Sequence, residues 1–407
     1  MFKTYVTQPG DTFSSISRAI TGSERNAALI KSQNPQAVTP IIPGTSIMVK
    51  TGGKSDKGFS PFGLDVKIDG ASYEVYDNFT CSMAIDGFSR SQFVMPNEKE
   101  IRDILPPLTP TAIDIGYNGN GMMSGYCETP TPENTDTRKE LRVSVASWPN
   151  MLLSTPPTSS FPWEFVDMDL ELITKNLLAL YSLEYEFEGD KGPVFSKLSI
   201  KQSDKVFDFL SNLCKQRGLI MRDDEDGKVI FHTGDSSGGL IPIPTQPVLE
   251  IDGENRPDVA VGPAVYDSTE YYSHVTGILK SKNKRKRKRL TVENPHYRGI
   301  MRPYEFEISD SDEGELETAV NTVAARMFAS VFKLEITVPY WEDKNGDLLR
   351  PGGLVSARST KDYIEDFTDL LISNVTLNVT GTQRIATLTT VLPGVYNGKI
   401  PERVPWT

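Results

Sequence analysis

Short segments in which apolar and polar residues alternate dominate the stretch between residues 64 and 147. Residues 64–68 alternate in this way, Asp69-Gly70 follows as a hairpin turn signal, and residues 72–76 and 141–147 continue the pattern. An alternating segment buries one face of a β-strand and leaves the other face in water. Regular turns between short strands of this kind predict an antiparallel barrel or sandwich.

The periodicity becomes helical beyond residue 168. Residues 169–181 and 203–218 place apolar side chains three and four positions apart, with Ser203 as the expected cap of the second helix and its last residue, a glycine, as the expected end. A β-hairpin is predicted next, and the acidic residues 223–226 are expected to serve its turn. These elements predict an α+β segment.

A second β region follows from about residue 248. Residues 334–338 alternate apolar and polar side chains, and residues 370–377 and 384–392 are also typical of strands. Residues 312–331 have helical character, and the acidic residues at their start suit a helix N-terminus. The predicted fold class is therefore α+β, mainly β, with two β regions on either side of the α+β segment.

The first fifty residues have a different pattern, in which short strands at residues 5–7 and 47–49 enclose two short helices. Pro9-Gly10 predicts a turn, Asp11 and Thr12 can cap the first helix, and Phe13 begins its apolar face. Asn34-Pro35 is expected to stop the second helix. The predicted order is βααβ. The polar, glycine-rich residues after it, 51–60, are expected to form a flexible linker.

These N-terminal residues resemble a LysM domain, a βααβ module that binds N-acetylglucosamine glycans such as peptidoglycan. The resemblance implies a shallow glycan groove between two loops. The residues that it assigns to this groove are Gly10, Asp11, Thr12, Phe13, Asn34, Pro35, Ile41 and Ile42. A LysM fold reused as a protein–protein adaptor remains an alternative, in which Asp11 and Thr12 only cap the helix and Ile41 only packs.

Composition narrows the possible functions. The chain has 407 residues and a net charge of −11, and it contains no apolar run long enough to cross a membrane. No apolar signal region precedes the first strand, so the protein is expected to stay in the cytoplasm, to leave by lysis, or to leave as part of a particle. Three cysteines and three histidines, at scattered spacings, match no zinc, disulfide or metalloprotease pattern. No enzyme activity, metal or cofactor is therefore expected.

One short stretch has the opposite charge. Positive side chains crowd residues 280–289, and their densest part is Lys284, Arg285, Lys286, Arg287, Lys288 and Arg289. Like charges repel one another, so this run suits a solvated hairpin tip. It also suits a docking patch for an acidic partner ring or, less well, for DNA. The sequence leaves these alternatives open.

The chain after the linker resembles the baseplate hub proteins of contractile phage tails, that is, the Mu-like tail hub and late control protein D family. The resemblance rests on the order of a β region, an α+β segment containing Ser203, Phe207, Leu210 and Arg217-Gly218-Leu219, and a second β region. Residues 350–352 and 384–389 add to it. It implies a hub body with two β-barrel-like domains and a homotrimer whose six barrels match a sixfold tail tube.

The resemblance also implies partners and a location. The expected partners are tail tube and tube-initiator proteins, a central spike protein, tape measure and wedge proteins, and peptidoglycan, while DNA passes through the lumen without specific binding. The expected location is the virion tail baseplate, assembled in the bacterial cytoplasm. The expected domains are 1–50, 61–165, 166–247 and 248–407, with the linker at 51–60. The alternatives are a LysM-targeted wall-binding protein or hydrolase, and a glycan-binding coat protein.

Overall fold

The computed structural model describes residues 2–8, 12–13, 15–16, 46–50, 63–73, 77–134, 139–157, 163–233, 247–255, 258–279, 288–308, 313–380 and 383–406. The chain divides into two compact units. Unit 1 contains Met1–Cys81, Arg90–Ala146 and Asn378–Arg384. Unit 2 contains Ser82–Ser89, Ser147–Leu377 and Ile385–Thr407. None of the described helices has the length and apolar character needed to cross a membrane.

The described part of the N-terminal region is a pair of strands and one helical turn. Strand β1 (Phe2–Val6) pairs antiparallel with β2 (Ser46–Lys50). The turn begins at Thr12, whose Oγ1 accepts a hydrogen bond from Ser15 N at 3.1 Å, while Thr12 N donates to Ser15 Oγ at 2.9 Å. Phe13, Ile16 and Ile47 are buried. Strands thus occupy both places where the sequence predicts them.

The body of unit 1 is an antiparallel sheet. Its elements are β3 (Leu64–Ile68), β4 (Ala71–Tyr73), β5 (Asp77–Ala84), β6 (Arg90–Pro96), α1 (Lys99–Ile104), β7 (Ala112–Tyr117), β8 (Asn120–Asn134) and β9 (Lys139–Ser147). The strand order is β5-β6-β9-β8-β7-β3-β4. Leu64, Val66 and Ile68 are buried while Lys67 between them is exposed, as the alternation predicts.

The first part of unit 2 is an α+β segment. Its elements are β10 (Glu164–Phe165), α2 (Leu170–Ala179), β11 (Tyr185–Phe187), β12 (Leu198–Ser199), α3 (Val206–Gln216), β13 (Leu219–Asp223) and β14 (Val229–Thr233). The sheet order is β11-β14-β13, and both helices contribute side chains to one apolar core with that sheet.

The ends of these helices test the predicted caps. Asp169 caps α2, since its carboxylate accepts a hydrogen bond from Leu172 N at 2.8 Å. The prediction that Ser203 caps α3 is wrong, because α3 begins at Val206 after Lys205, which makes no side-chain cap bond. The Asp204 carboxylate instead accepts a hydrogen bond from Lys201 N at 3.0 Å, which closes the turn before α3. Gly218 ends the helical region as predicted, with a φ of +67° that favours glycine.

The remainder of unit 2 contains a second β region and a long helix. Its elements are β15 (Leu249–Asp252), β16 (Ala260–Tyr266), β17 (His274–Leu279), β18 (Arg289–Glu293), β19 (Pro303–Ile308), α4 (Glu313–Val331), β20 (Phe332–Val338), β21 (Leu354–Ser359), β22 (Ile364–Thr380) and β23 (Gln383–Val391). The mainly β, α+β fold class predicted from the sequence is confirmed.

Six of these strands form a barrel-like sheet in the order β15-β21-β22-β23-β20-β16. Its two end strands approach each other, since a Cβ added at Gly253, just after β15, would lie 3.2 Å from the Val261 side chain of β16. The other three strands form a separate sheet in the order β18-β17-β19, and α4 packs on it through Leu316 and Val320. Alternate residues of the barrel strands, such as Leu334, Ile336 and Val338, are buried.

Candidate functional site

Buried and partly buried polar side chains tie the α+β segment to the remainder of unit 2 at three places. Each place joins the end of α3 or the β13 strand to a residue far away in the chain. A buried charge is costly unless it is paired and hydrogen-bonded, so such contacts fix one arrangement of the elements that they join. We call them the Arg217, Arg326 and Asp223 contacts.

The Arg217 contact joins the end of α3 to the first turn of α4. Arg217 Nε lies 2.8 Å from Glu315 Oε1, and the two side chains are only 3% and 8% exposed. Arg217 Nη2 donates to Pro193 O at 2.5 Å, and the guanidinium stacks 4.0 Å from the centre of the Phe195 ring. Burial lowers the pKa of Arg217, and the Glu315 charge opposes that shift.

A polar cleft of about 260 Å³ borders this ion pair and is lined by the loop that follows β11, together with α3 and α4. Gly192 lies in that loop with a φ of +65°, and a Cβ there would lie 2.8 Å from Arg217 Cζ and 2.9 Å from Glu315 Oε1. The backbone therefore passes so close to the ion pair that only glycine fits.

The Arg326 contact joins α4 to Asp86, which follows β5, and to β13. Arg326 Nη1 donates to Asp86 Oδ2 at 2.9 Å, and Nη2 donates to Leu219 O at 2.8 Å. The guanidinium also lies 5.7 Å from the centre of the Tyr396 ring. Burial, followed by the Asp86 charge, raises the pKa of Tyr396 to about 12, so its hydroxyl stays protonated.

The Asp223 contact corrects the interpretation of residues 223–226 as turn residues only. Asp224 does close the turn, accepting hydrogen bonds from Asp226 N at 3.0 Å and Lys228 N at 2.8 Å. Asp223 instead lies buried in β13, where its carboxylate accepts hydrogen bonds from Ser89 N and Ser89 Oγ, both at 2.9 Å. Burial raises its pKa, although the bonds from Ser147 and Ser89 oppose that shift.

His232 lies in β14 beside these contacts and is also buried. Its Nδ1 lies 3.0 Å from Thr233 O, which requires the hydrogen on that nitrogen. Burial first, and then the Arg222 charge, lowers the pKa of His232 to about 4. The ring is therefore neutral in the folded protein at neutral pH.

The low pKa of His232 predicts a loss of stability in mild acid. Its unfolded pKa is about 6.5, so the unfolded state binds the proton first, and the stabilisation present above that pH is lost as the pH falls toward 4. Lowering the pH from 7 to 5 should reduce the free energy of unfolding by about 2 kcal/mol through this group. Urea unfolding of wild type and His232→Gln at both pH values measures it. An equal loss in both proteins would contradict the assignment.

The sequence-predicted site residues lie partly outside the described residues. For the LysM groove, Thr12 is exposed and caps its turn, and Phe13 is buried, while Gly10, Asp11, Asn34, Pro35, Ile41 and Ile42 are outside. For the basic run, Lys288 and Arg289 are described, and residues 284–287 are outside. The strands on either side of that run, β17 and β18, pair antiparallel. Its docking role and the hairpin-tip alternative both stay predictions.

No group of three or more His, Cys, Asp or Glu residues in the described part of the chain could hold a metal ion. All three cysteines are buried, and burial raises the pKa of Cys127 to about 11 and that of Cys214 to about 12. Such thiols stay protonated and react slowly as nucleophiles.

The comparison with known protein families found a match to the α+β segment. Residues 156–233 match the model of the second domain of gp44-like baseplate hub proteins. This is the segment that the Arg217, Arg326 and Asp223 contacts join to the remainder of unit 2. No curated protein matches this chain.

Comparison with solved structures concerns the whole fold. A 43 kDa tail protein of prophage MuSo2 from Shewanella oneidensis superposes with a TM-score of 0.66 at 17% identity, over 81% of this chain and 98% of that protein. A tail protein from Neisseria meningitidis gives 0.67 at 16% identity, over 83% and 99%.

A third similar structure comes from a secretion system. An Escherichia coli component of the type VI secretion system, described as structurally similar to the T4 bacteriophage tail proteins gp27 and gp5, gives a TM-score of 0.51 at 12% identity, over 83% of this chain and 79% of that one. The chain therefore has the fold of these tail proteins, and its residues 156–233 match the second domain of gp44-like baseplate hub proteins.

Proposed function

We propose that this protein is the structural hub of a contractile phage, or phage-like, tail baseplate, acting as a homotrimeric ring between the tail tube and a central spike. The observation that carries the proposal is the match of residues 156–233 to a hub domain within a chain that has the fold of tail proteins. The likeness to a secretion component related to gp27 and gp5 supports the same role.

The Arg217, Arg326 and Asp223 contacts suit a protein that transmits mechanical force. A hub must transmit force without letting its domains rotate against one another, and three contacts of charged side chains, at separate points, hold the α+β segment in one arrangement. A charge pulled from its buried partner would lie unpaired in an apolar surrounding, which is strongly unfavourable. Moving the α+β segment away from these partners is therefore energetically unfavourable.

The proposal places the assembled protein in the virion tail after assembly in the bacterial cytoplasm. Its partners are two further copies of itself, the tube proteins above and the spike protein below. Negative-stain images of the purified chain, alone and with its spike, should show threefold rings. A population of single particles under both conditions would contradict the proposal.

For the N-terminal region we propose a LysM module that contacts peptidoglycan. The supporting observations are the quoted motif residues, the β1–β2 pair and the Thr12 cap. Three modules on one ring would strengthen a weak individual contact by avidity. The competing proposal, a brace against a neighbouring tail protein, predicts no glycan binding.

A pulldown with purified cell walls distinguishes these two proposals. Asp11→Asn and Ile42→Ala should each reduce the bound fraction by about fivefold when binding is weak, because each removes one groove contact worth about 1 kcal/mol. Asp69→Asn, which removes a carboxylate from an exposed hairpin turn of unit 1, is the matched control and should bind as wild type does. A wild-type protein that does not sediment with walls would favour the brace.

A further inference from the structure

The three-stranded sheet β18-β17-β19 ends in two edge strands that pair with no further strand in the described part of the chain. The central strand β17 is buried at residues 275–278. The edge strands are exposed at alternate residues, which are Arg289, Thr291 and Glu293 on β18 and Glu305 and Glu307 on β19. An edge strand offers its backbone N–H and C=O groups to a strand of another chain.

The hydrogen bonds of β17 show which way the backbone of β18 points. Leu279 N donates to Lys288 O at 3.0 Å, and Asn294 N donates to Ser273 O at 2.9 Å. Along an antiparallel pair, hydrogen-bonded positions alternate with non-hydrogen-bonded positions. The even-numbered residues of β18 therefore bond to β17. The odd-numbered residues direct their N–H and C=O groups away from the sheet.

The backbone of β19 points outward at a matching set of positions. The same alternation directs the backbone groups of Thr276 and Ile278 toward β19, where their parallel partners are Glu305 and Glu307. In a parallel pair a residue bonds to the neighbours of its partner, because the bonds are slanted. The N–H and C=O groups of Glu305 and Glu307 are therefore also directed away from the sheet.

Opposite charges lie at the same level on the two edges. Ile278 of β17 pairs with Arg289 on one side and with Glu307 on the other. At the next level, the edge residues are Thr291 and Glu305. These four side chains project from the sheet face opposite α4, because the alternate residues of β17 pack on that helix. The two edges therefore match in level, in side-chain face and, at Arg289 and Glu307, in charge.

We propose that β18 of one copy of this chain pairs antiparallel with β19 of the next copy, so that the three-stranded sheets continue around a ring. β18 runs against β17 and β19 runs with it, so a rotation about an axis along the strands brings the two edges together antiparallel. Contacts between unlike surfaces of identical subunits close into rings when the rotation allows. The inference rests on the proposed trimeric hub and identifies the surface that assembles it.

Charge favours this pairing over a pairing of β19 with itself. An antiparallel β19 pair would place Glu305 opposite Glu307, and like charges directly opposite each other destabilise a sheet. Between β18 and β19, Arg289 instead lies opposite Glu307 with Glu305 in diagonal reach. A pairing of β18 with itself would match Arg289 with Glu293, but it joins only two copies and leaves the β19 edge uncovered.

Disulfide crosslinking of the full-length double variant Thr291→Cys/Glu305→Cys tests the contact itself. Within one copy β17 separates the two positions, so their Cα atoms lie two strand spacings, about 9.6 Å, apart. A disulfide spans at most about 7 Å, so the two new thiols cannot bond within one copy. The three native cysteines are buried. Oxidised glutathione should therefore produce a covalent trimer that reduction returns to single chains.

The two single variants are the controls for this crosslinking. Thr291→Cys alone and Glu305→Cys alone should both stay uncrosslinked. A covalent dimer of Thr291→Cys alone would show that β18 pairs with itself and would overturn the inference. A double variant that is trimeric but stays uncrosslinked would also overturn it, and the charges would then only protect the edges from pairing. A wild-type chain that stays monomeric at every concentration would overturn the trimeric hub as well.

Charge reversal tests the electrostatic match. Arg289→Glu and Glu307→Arg should each weaken self-association by about tenfold, because each places like charges opposite one another. Both positions are exposed, so the melting temperature of the dissociated chain should not change. Lys361→Glu, which reverses an exposed charge elsewhere in unit 2, is the matched control and should associate as wild type does.

Mixing the two reversed variants separates pairing between copies from pairing within one copy. The reversed β18 edge of Arg289→Glu matches the reversed β19 edge of Glu307→Arg, so differently tagged chains should capture each other better than either captures itself. Charges that match only within one copy would give no such recovery. Capture in the mixture that is no better than capture in either variant alone would overturn the inference.

Discussion

Replacing Arg217 with alanine is expected to destabilise unit 2 by about 4 kcal/mol, the usual cost of breaking a buried ion pair from one side. The substitution would leave Glu315 buried without its partner cation, remove the hydrogen bond to Pro193 O, and expose the face of Phe195. Urea unfolding followed by tryptophan fluorescence and by far-UV circular dichroism measures the change.

A surface pair gives the matched control. Arg350 Nη1 lies 3.3 Å from Glu225 Oε2, with side chains 35% and 49% exposed, so Arg350→Ala should cost less than about 1 kcal/mol. Arg217→Met combined with Glu315→Met should be more stable than Arg217→Ala, because no charge remains buried alone. Equal, small losses for Arg217→Ala and Arg350→Ala would contradict the role assigned to the buried pair.

Gly277→Ala is expected to destabilise the packing of α4 on its three-stranded sheet by about 2 to 3 kcal/mol. A Cβ at this position of β17 would lie 2.4 Å from Val320 Cγ2 and 3.1 Å from Leu316 Cδ1. Contacts this short force the helix away from the strand, and overpacking of a core typically costs about 1 to 3 kcal/mol.

A second substitution tests the mechanism of that loss. Val320→Ala alone should also destabilise, because it leaves a cavity. The two changes together should cost less than the sum of the single losses, since the new methyl group fills the space that Val320 vacates. Thermal unfolding of all four proteins completes the cycle. If the two single losses of stability simply add in the double variant, contact with Val320 is not what restricts position 277 to glycine.

The sequence predicts the helices and strands better than it predicts the contacts between them. The alternation in residues 64–68 and the helical spacing before Gly218 both depend on side chains that are near neighbours in the chain, so their periods can be read directly. Asp223 is different, because its partner Ser89 lies 134 residues away. Within an acidic run, nothing in the local pattern separates a buried carboxylate from the turn carboxylate of Asp224.

The same limit explains why the Arg217 contact could not be predicted. Arg217 belongs to the residues that carry the resemblance to tail hubs, where it reads as the end of a helix followed by glycine. Its partner Glu315 stands in an acidic stretch that suits a helix N-terminus, which is also where it lies. Each residue fits the helix pattern of its own segment, and only the folded chain shows that the two residues form one buried ion pair.

Exposure and backbone strain are likewise invisible in the sequence. Leu108 follows two prolines in a segment that any turn could use, and Tyr363 precedes an ordinary strand. Only the positive φ of both residues, together with their exposure, distinguishes them from other surface apolar residues.

Light scattering of the purified full-length chain tests the proposed hub most directly. Across a range of concentrations, we expect a species with three times the 45.2 kDa chain mass. A mass of 45.2 kDa at every concentration, with and without a spike protein, would contradict the account.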